Sequence, residues 1–244
     1  MKKALILYWH GLGDVIMLTP HLRHLYNKGY KVDLMCRSAV KVSKLLDACP
    51  YVDRLIEVTN PWRSKMGFTP QAAMNIERFN NLCGGYDWAG MSSHNVKEYR
   101  AYHKIDMTSA ELGLEIKDKK LEVFISKEAE QQALDYGDEE FIFCHADVEN
   151  HPYNSWDAAQ WMAENLPTTK IVDRISPIFD DINAEFALAR RAKYRVLSDS
   201  VFAHACNAMG VVVDVINYGR SDRKVWPLDQ SKVLHIREEG KWVK

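Results

Sequence analysis

The chain carries almost no excess charge: 32 Lys and Arg stand against 33 Asp and Glu in 244 residues, a net of -1 at neutral pH. That balance excludes little: no polybasic tail or acidic block announces nucleic acid, membrane or a disordered partner, and any nucleic-acid role is local. No apolar run approaches the length of a transmembrane helix. Lys2 and Lys3 precede an apolar stretch, as in a secretory signal, but His10, Gly11, Gly13 and Asp14 interrupt it and no small-residue cleavage site follows. Cysteine is scarce and odd in number. Cys36, Cys49, Cys83, Cys144 and Cys206 are widely spaced and mostly in apolar stretches, without zinc-ligand spacing, which suits reduced thiols in a cytoplasmic protein better than a disulfide framework.

What is present reads as a soluble α/β protein, long enough for one large domain or two of ordinary size. Strand-like runs alternate with helix-like ones: strand Lys2 to Trp9, helix to Asn27, strand Lys31 to Arg37, helix Val40 to Ala48, strand Arg54 to Thr59. A helix from Gln71 to Asn81, a strand Asp87 to Met91, helical material up to Gly113 and a strand Leu121 to Ile125 complete a first half. The second half repeats the plan with a helix Lys127 to Tyr136, strand Phe141 to His145, helix Ser155 to Asn165, strand Lys170 to Ile175, helix Ile182 to Ala192, strand Arg195 to Leu197, helix Val201 to Met209 and strand Val211 to Ile216. Such alternation implies parallel sheets with right-handed crossovers. The expectation is two Rossmann-like lobes, 1-126 and 127-244, facing a cleft with Asp14, His145 and Asp199 around it.

The most informative stretch is His10-Gly11-Leu12-Gly13-Asp14, where the first strand turns into the first helix. Glycines allow a tight reversal and close approach of a ligand, and a helix N-terminus presents unpaired N–H groups to an anion or hydroxyl. Ile16 stands where a dinucleotide fingerprint needs its third glycine, which argues against an NAD site. A plain β-α turn with Asp14 capping the helix fits the same residues.

The stretch ILYWHGLGDVIMLTPHLRHL followed by CPYVDRLIEV (Cys49 to Val58), and LSDSVFAHACNAMG (Leu197 to Gly210) followed by YGRSDRKVWPL (Tyr218 to Leu228), resemble the signatures of glycosyltransferase family 9, the heptosyltransferase-like enzymes, in order and spacing. The resemblance implies a GT-B-like pair of lobes and a metal-independent transfer of sugar from a nucleotide-diphosphate donor to a hydroxyl acceptor, a saccharide or glycolipid. It implies no cofactor beyond the donor as co-substrate. No Asp-x-Asp cluster is present to chelate a metal against a diphosphate. Asp14 matches the family's catalytic carboxylate, a general base for the acceptor hydroxyl. Asp199, Ser200 and His204 match the helix start that receives the donor diphosphate, with Gly13, His145, Arg220 and Arg223 as further donor-side candidates; His10, Arg63 and Lys65 are the acceptor-side ones. Asp199 and Ser200 also read as an ordinary N-cap pair, His204 as a buried histidine, and Lys224 as part of a solvated loop.

The chain departs from the family pattern in three places. The cation before Trp156 is missing, with Asn154-Ser155 in its place, leaving His145, His151, Tyr153 and Asn154 as substitute polar contacts. Val201 replaces a glycine after Asp199-Ser200, and the region between Ile175 and Arg195 is short by one strand and helix, a reduced second lobe. The basic, aromatic segment His94 to Lys104 raises a second reading, sugar transfer to a modified nucleobase in DNA. A degenerate nucleotide- or sugar-binding protein without turnover is a third. Trp62, Met66 and Phe68 are compatible with transient contact to a membrane-surface acceptor.

Overall fold

The computed structural model describes residues 1–59, 69–92, 103–146, 158–166, 170–174, 176–218, 233–238 and 241–243. The chain packs as two compact units, Met1–Phe124 and Ile125–Lys244. Each is an α/β lobe built on its own sheet.

In the first lobe, β1 (Lys2–Tyr8), β2 (Tyr30–Arg37), β3 (Val52–Val58) and β4 (Trp88–Ser92) form a parallel sheet in the order β3-β2-β1-β4. Central β1 is apolar on both faces, and Ala4 to Tyr8 are fully buried, as expected of a parallel strand covered on both sides. Helices α1 (Leu12–Asn27), α2 (Ser38–Val42), α3 (Pro70–Cys83) and α4 (Lys104–Leu112) connect and cover the strands. Leu5, Leu7, Trp9, Met35, Ile56, Val58, Ala72 and Phe79 form one core.

Helix α1 continues through Pro20, which has no N–H to give the Ile16 carbonyl; the Thr19 hydroxyl donates to that oxygen instead, at 2.7 Å. Helix α2 is shorter than the helix expected to Ala48, because Lys44 takes a left-handed conformation at φ 58°. The strand expected over Leu121 to Ile125 does not form. Instead the Glu122 N–H donates to Thr19 Oγ1 at 3.0 Å and the Glu122 carboxylate accepts from Tyr51, while Phe124 packs edge-on against the Tyr51 ring.

In the second lobe, β5 (Phe141–His145), β6 (Lys170–Asp173), β7 (Tyr194–Ser198), β8 (Val213–Tyr218), β9 (Val233–Glu238) and β10 (Lys241–Val243) take the order β10-β9-β8-β7-β5-β6. All neighbours are parallel except the hairpin β9–β10. Helices α5 (Lys127–Asp135), α6 (Ala158–Asn165), α7 (Ile182–Arg191) and α8 (Val201–Met209) complete the lobe, and a single described helix, α7, joins β6 to β7. Strands β9 and β10 lie beyond the strands expected from the sequence. All five cysteines are free, and four are buried.

Candidate functional site

In an open parallel sheet, ligands bind at the carboxyl ends of strands where successive connections depart in opposite directions. In the first lobe that place is the end of β1 between β2 and β4, and in the second it is the end of β5 between β6 and β7. Sequence-selected residues occupy both.

At the first, the chain leaves β1 through Trp9 and His10 and enters α1 with Gly11 as N-cap. Asp14 is the third residue of the helix, and its side chain reaches back so that the Gly11 N–H donates to Oδ2 at 2.9 Å. Asp14 therefore completes the cap from inside the helix rather than standing at the cap position. Gly11 has φ -69°, which any residue adopts, and a Cβ there would sit 3.5 Å from Asp14 Oδ2 in ordinary contact. The expected tight glycine reversal is thus absent at Gly11, and Gly13 is simply the second residue of α1.

The other Asp14 oxygen, Oδ1, forms an ion pair with Lys104 Nζ at the start of α4, and the Asp14 side chain stays 20% exposed. Beneath it lies a buried polar network. The Tyr8 hydroxyl donates to the Asp14 carbonyl at 3.0 Å, and burial, with the charges of Asp14 and Glu111, drives that phenol well above its ordinary pKa. His10 packs edge-on against Tyr8, its Nε2 3.2 Å from the Ser92 carbonyl oxygen, and the Ser92 hydroxyl donates to Glu111 at 2.5 Å. His10 is thus buried under the site.

At the second, His145 ends β5, with its Nδ1 3.0 Å from the Ser200 hydroxyl. Ser200 is the N-cap of α8, yet its side chain makes no capping bond to the helix. Burial, and next the charge of Arg174, push the His145 imidazolium down to a pKa of about 4, so the ring is neutral at physiological pH. Arg174 follows β6, its N–H donating to the Cys144 carbonyl at 2.8 Å. Its guanidinium lies over the Phe202 ring and donates through Nε to Glu185 at 3.0 Å. Asp199 is half-buried beside Ser200, its N–H on the Asn217 carbonyl at 3.1 Å. His204 is buried on α8.

Each lobe therefore gathers its own part of the expected set: His10, Gly13 and Asp14 in the first, His145, Asp199, Ser200 and His204 in the second. Arg63, Lys65, Arg220 and Arg223 lie outside the described residues. Lys104, Glu111 and Ser92 in the first lobe and Arg174 in the second are additions of the structure; of these only Lys104 carried a signal, as the last member of a basic segment. Among the described residues no group of three or more His, Cys, Asp or Glu is arranged to hold a metal ion, and no helix is long and apolar enough to cross a membrane. A cavity of about 340 Å³ lined by Pro20, Arg23, His24 and Lys117 lies along the far half of α1, away from these strand ends.

No family model and no curated protein matches the sequence. Solved structures do. A glycosyl transferase family 9 protein from Veillonella parvula is 17% identical with a TM-score of 0.68, over 100% of this chain and 88% of that one. ADP-heptose lps heptosyltransferase II of E. coli is 14% identical with a TM-score of 0.65, over 96% and 90%. E. coli heptosyltransferase WaaC with ADP is 15% identical with a TM-score of 0.58, over 97% and 93%. The chain has the two-lobed, GT-B-like α/β fold of these proteins.

Proposed function

We propose that the protein is a metal-independent glycosyltransferase that moves a sugar from a nucleotide-diphosphate donor to a hydroxyl of a saccharide or glycolipid acceptor. The observation that carries this reading is Asp14: a carboxylate at the end of the central strand, fixed by Gly11 and Lys104 yet still in contact with solvent, in a fold shared with nucleotide-sugar transferases. A sugar hydroxyl is a poor nucleophile until its proton is being removed, and a fixed carboxylate supplies that base. Asp14 takes the hydroxyl proton as the acceptor oxygen bonds to the anomeric carbon. The bond from that carbon to the diphosphate oxygen breaks, and its electron pair leaves with the nucleoside diphosphate.

The first lobe is read as the acceptor side and the second as the donor side. There the N-terminus of α8, the Ser200 hydroxyl, neutral His145 and the Arg174 guanidinium offer N–H and O–H donors to a diphosphate. Arg174 is a cation where the stretch before Trp156 has none.

The test uses ADP-heptose, the donor named for the E. coli relative, within a panel of nucleotide sugars. A donor that binds the native protein raises its melting temperature by mass action. Asp14→Asn is expected to keep that stabilisation and to lose turnover by roughly 100-fold or more. Turnover retained in Asp14→Asn overturns the assignment of the base.

A further inference from the structure

Lys104 stands where helix electrostatics disfavour it. It is the first residue of α4, and a cation in the first turn faces the positive end of the helix dipole. Asp106 in the same turn is paired with Lys119 at 2.6 Å instead. Lys104 leaves its own helix and reaches the Asp14 carboxylate, with 17% of its side chain exposed. Asp14 is already favoured as an anion by the Gly11 N–H and by the N-terminus of α1. The added cation thus bears on what Asp14 does more than on whether α1 forms.

Several of the described residues lie around the pair. Tyr8 of β1 is held as the neutral phenol, and His10 bonds the Ser92 carbonyl. From α4, Glu111 is a second carboxylate close to Tyr8, which accepts from Ser92, and Thr108 bonds Tyr8. His103, the N-cap of α4, accepts the Ile105 N–H on its ring. Glu111 is the like charge in this set, so of these groups it is the one that disfavours a second anion beside Tyr8.

We propose that Lys104 is a positioning residue for sugar transfer: its ammonium holds the Asp14 carboxylate ionised and fixed at the strand ends, ready to receive the acceptor proton. The inference rests on the reading of Asp14 as base. The proton taken from the acceptor hydroxyl resides on Asp14 after the step.

Lys104→Met removes the cation at similar length, and Lys104→Arg keeps it. The Asp14 carboxyl carbon, assigned in carbon-13 aspartate-labelled protein by its loss in Asp14→Asn, is titrated by NMR, and ADP release from ADP-heptose is followed against pH. The titration midpoint and the acid limb of kcat/KM are expected to move to higher pH in Lys104→Met. The rate then falls about tenfold on the acid side for each unit the limb moves, with little change on the alkaline side. Lys104→Arg restores both. An unmoved midpoint in Lys104→Met, with Asp14→Asn inactive, overturns the role of Lys104 alone; an active Asp14→Asn overturns the reading of Asp14 on which it depends. Should Lys104→Met fail to fold, a wild-type midpoint at or above about 3.9, the ordinary aspartate value, is itself decisive against the proposal.

Discussion

Arg195 carries a guanidinium into the interior of the second lobe and uses it on carbonyl oxygens. Nε donates to Ala189 at 2.7 Å, Nη1 to Val212 at 3.0 Å, and Nη2 to Arg190 and Ala192 at 2.6 Å each. Three of these four carbonyls lie at the C-terminal end of α7, where helix carbonyls have no partner of their own. One side chain on β7 thus terminates the helix that precedes it. Arg195→Met leaves those oxygens buried and unpaired and is expected to cost about 3 kcal/mol in urea unfolding, while Arg195→Lys recovers only part because it lacks the fork of donors. In the sequence Arg195 reads as a polar residue opening a strand, since nothing in local periodicity shows that its donors face backward onto a helix.

At the scale of elements, glycine positions separate into two kinds. Gly113 ends α4 at φ 63°, a left-handed conformation that strains any side chain, whereas Gly11 caps α1 at φ -69°. Gly113→Ala is expected to destabilise by about 1 kcal/mol or more. Gly11→Ala stays below about 1 kcal/mol, read from the same denaturant curves. Two glycines next to a strand suggest a tight reversal in the sequence, yet Gly11 adopts an angle open to any residue. Elements with clear ends were legible: β5 and α8 run over Phe141–His145 and Val201–Met209, the ranges their apolar runs mark. Helix α2 was overextended because nothing about Lys44 reveals a positive φ. Residues 121–125 have strand composition, but Glu122 among them bonds Thr19 of α1 and Tyr51 rather than a neighbouring strand. Strands β9 and β10 were not foreseen; β10 is only three residues long, too short for alternation to show.

For the whole molecule, both lobes share one plan: a parallel strand inside the sheet, a polar residue at or just after its end, and a helix N-terminus beside it. Strand ends are visible in sequence, so Asp14 and His145 were legible. Lys104 and Arg174 were not, because their proximity to those residues depends on crossovers that periodicity does not locate. Both lobes also bury a neutral histidine, His21 and His145, each held down to about 4 from 6.5 chiefly by burial. The unfolded chain binds these protons first as pH falls. Stability is therefore fully present above 6.5 and lost between 6.5 and about 4, by roughly 3 kcal/mol for each histidine. Denaturation followed across that range checks this, and His21→Gln is expected to flatten the dependence for the first lobe alone. Three of the four sheet margins formed by the described strands, all but that of β4, have a different consequence. Edge strand β3 turns Asp53, Arg54 and Glu57 outward, β6 is four residues long and begins with Lys170, and β10 closes its sheet with three residues running against the rest. A margin that is charged or very short offers little template for another chain to add a strand, so these borders guard against edge-to-edge aggregation at high concentration.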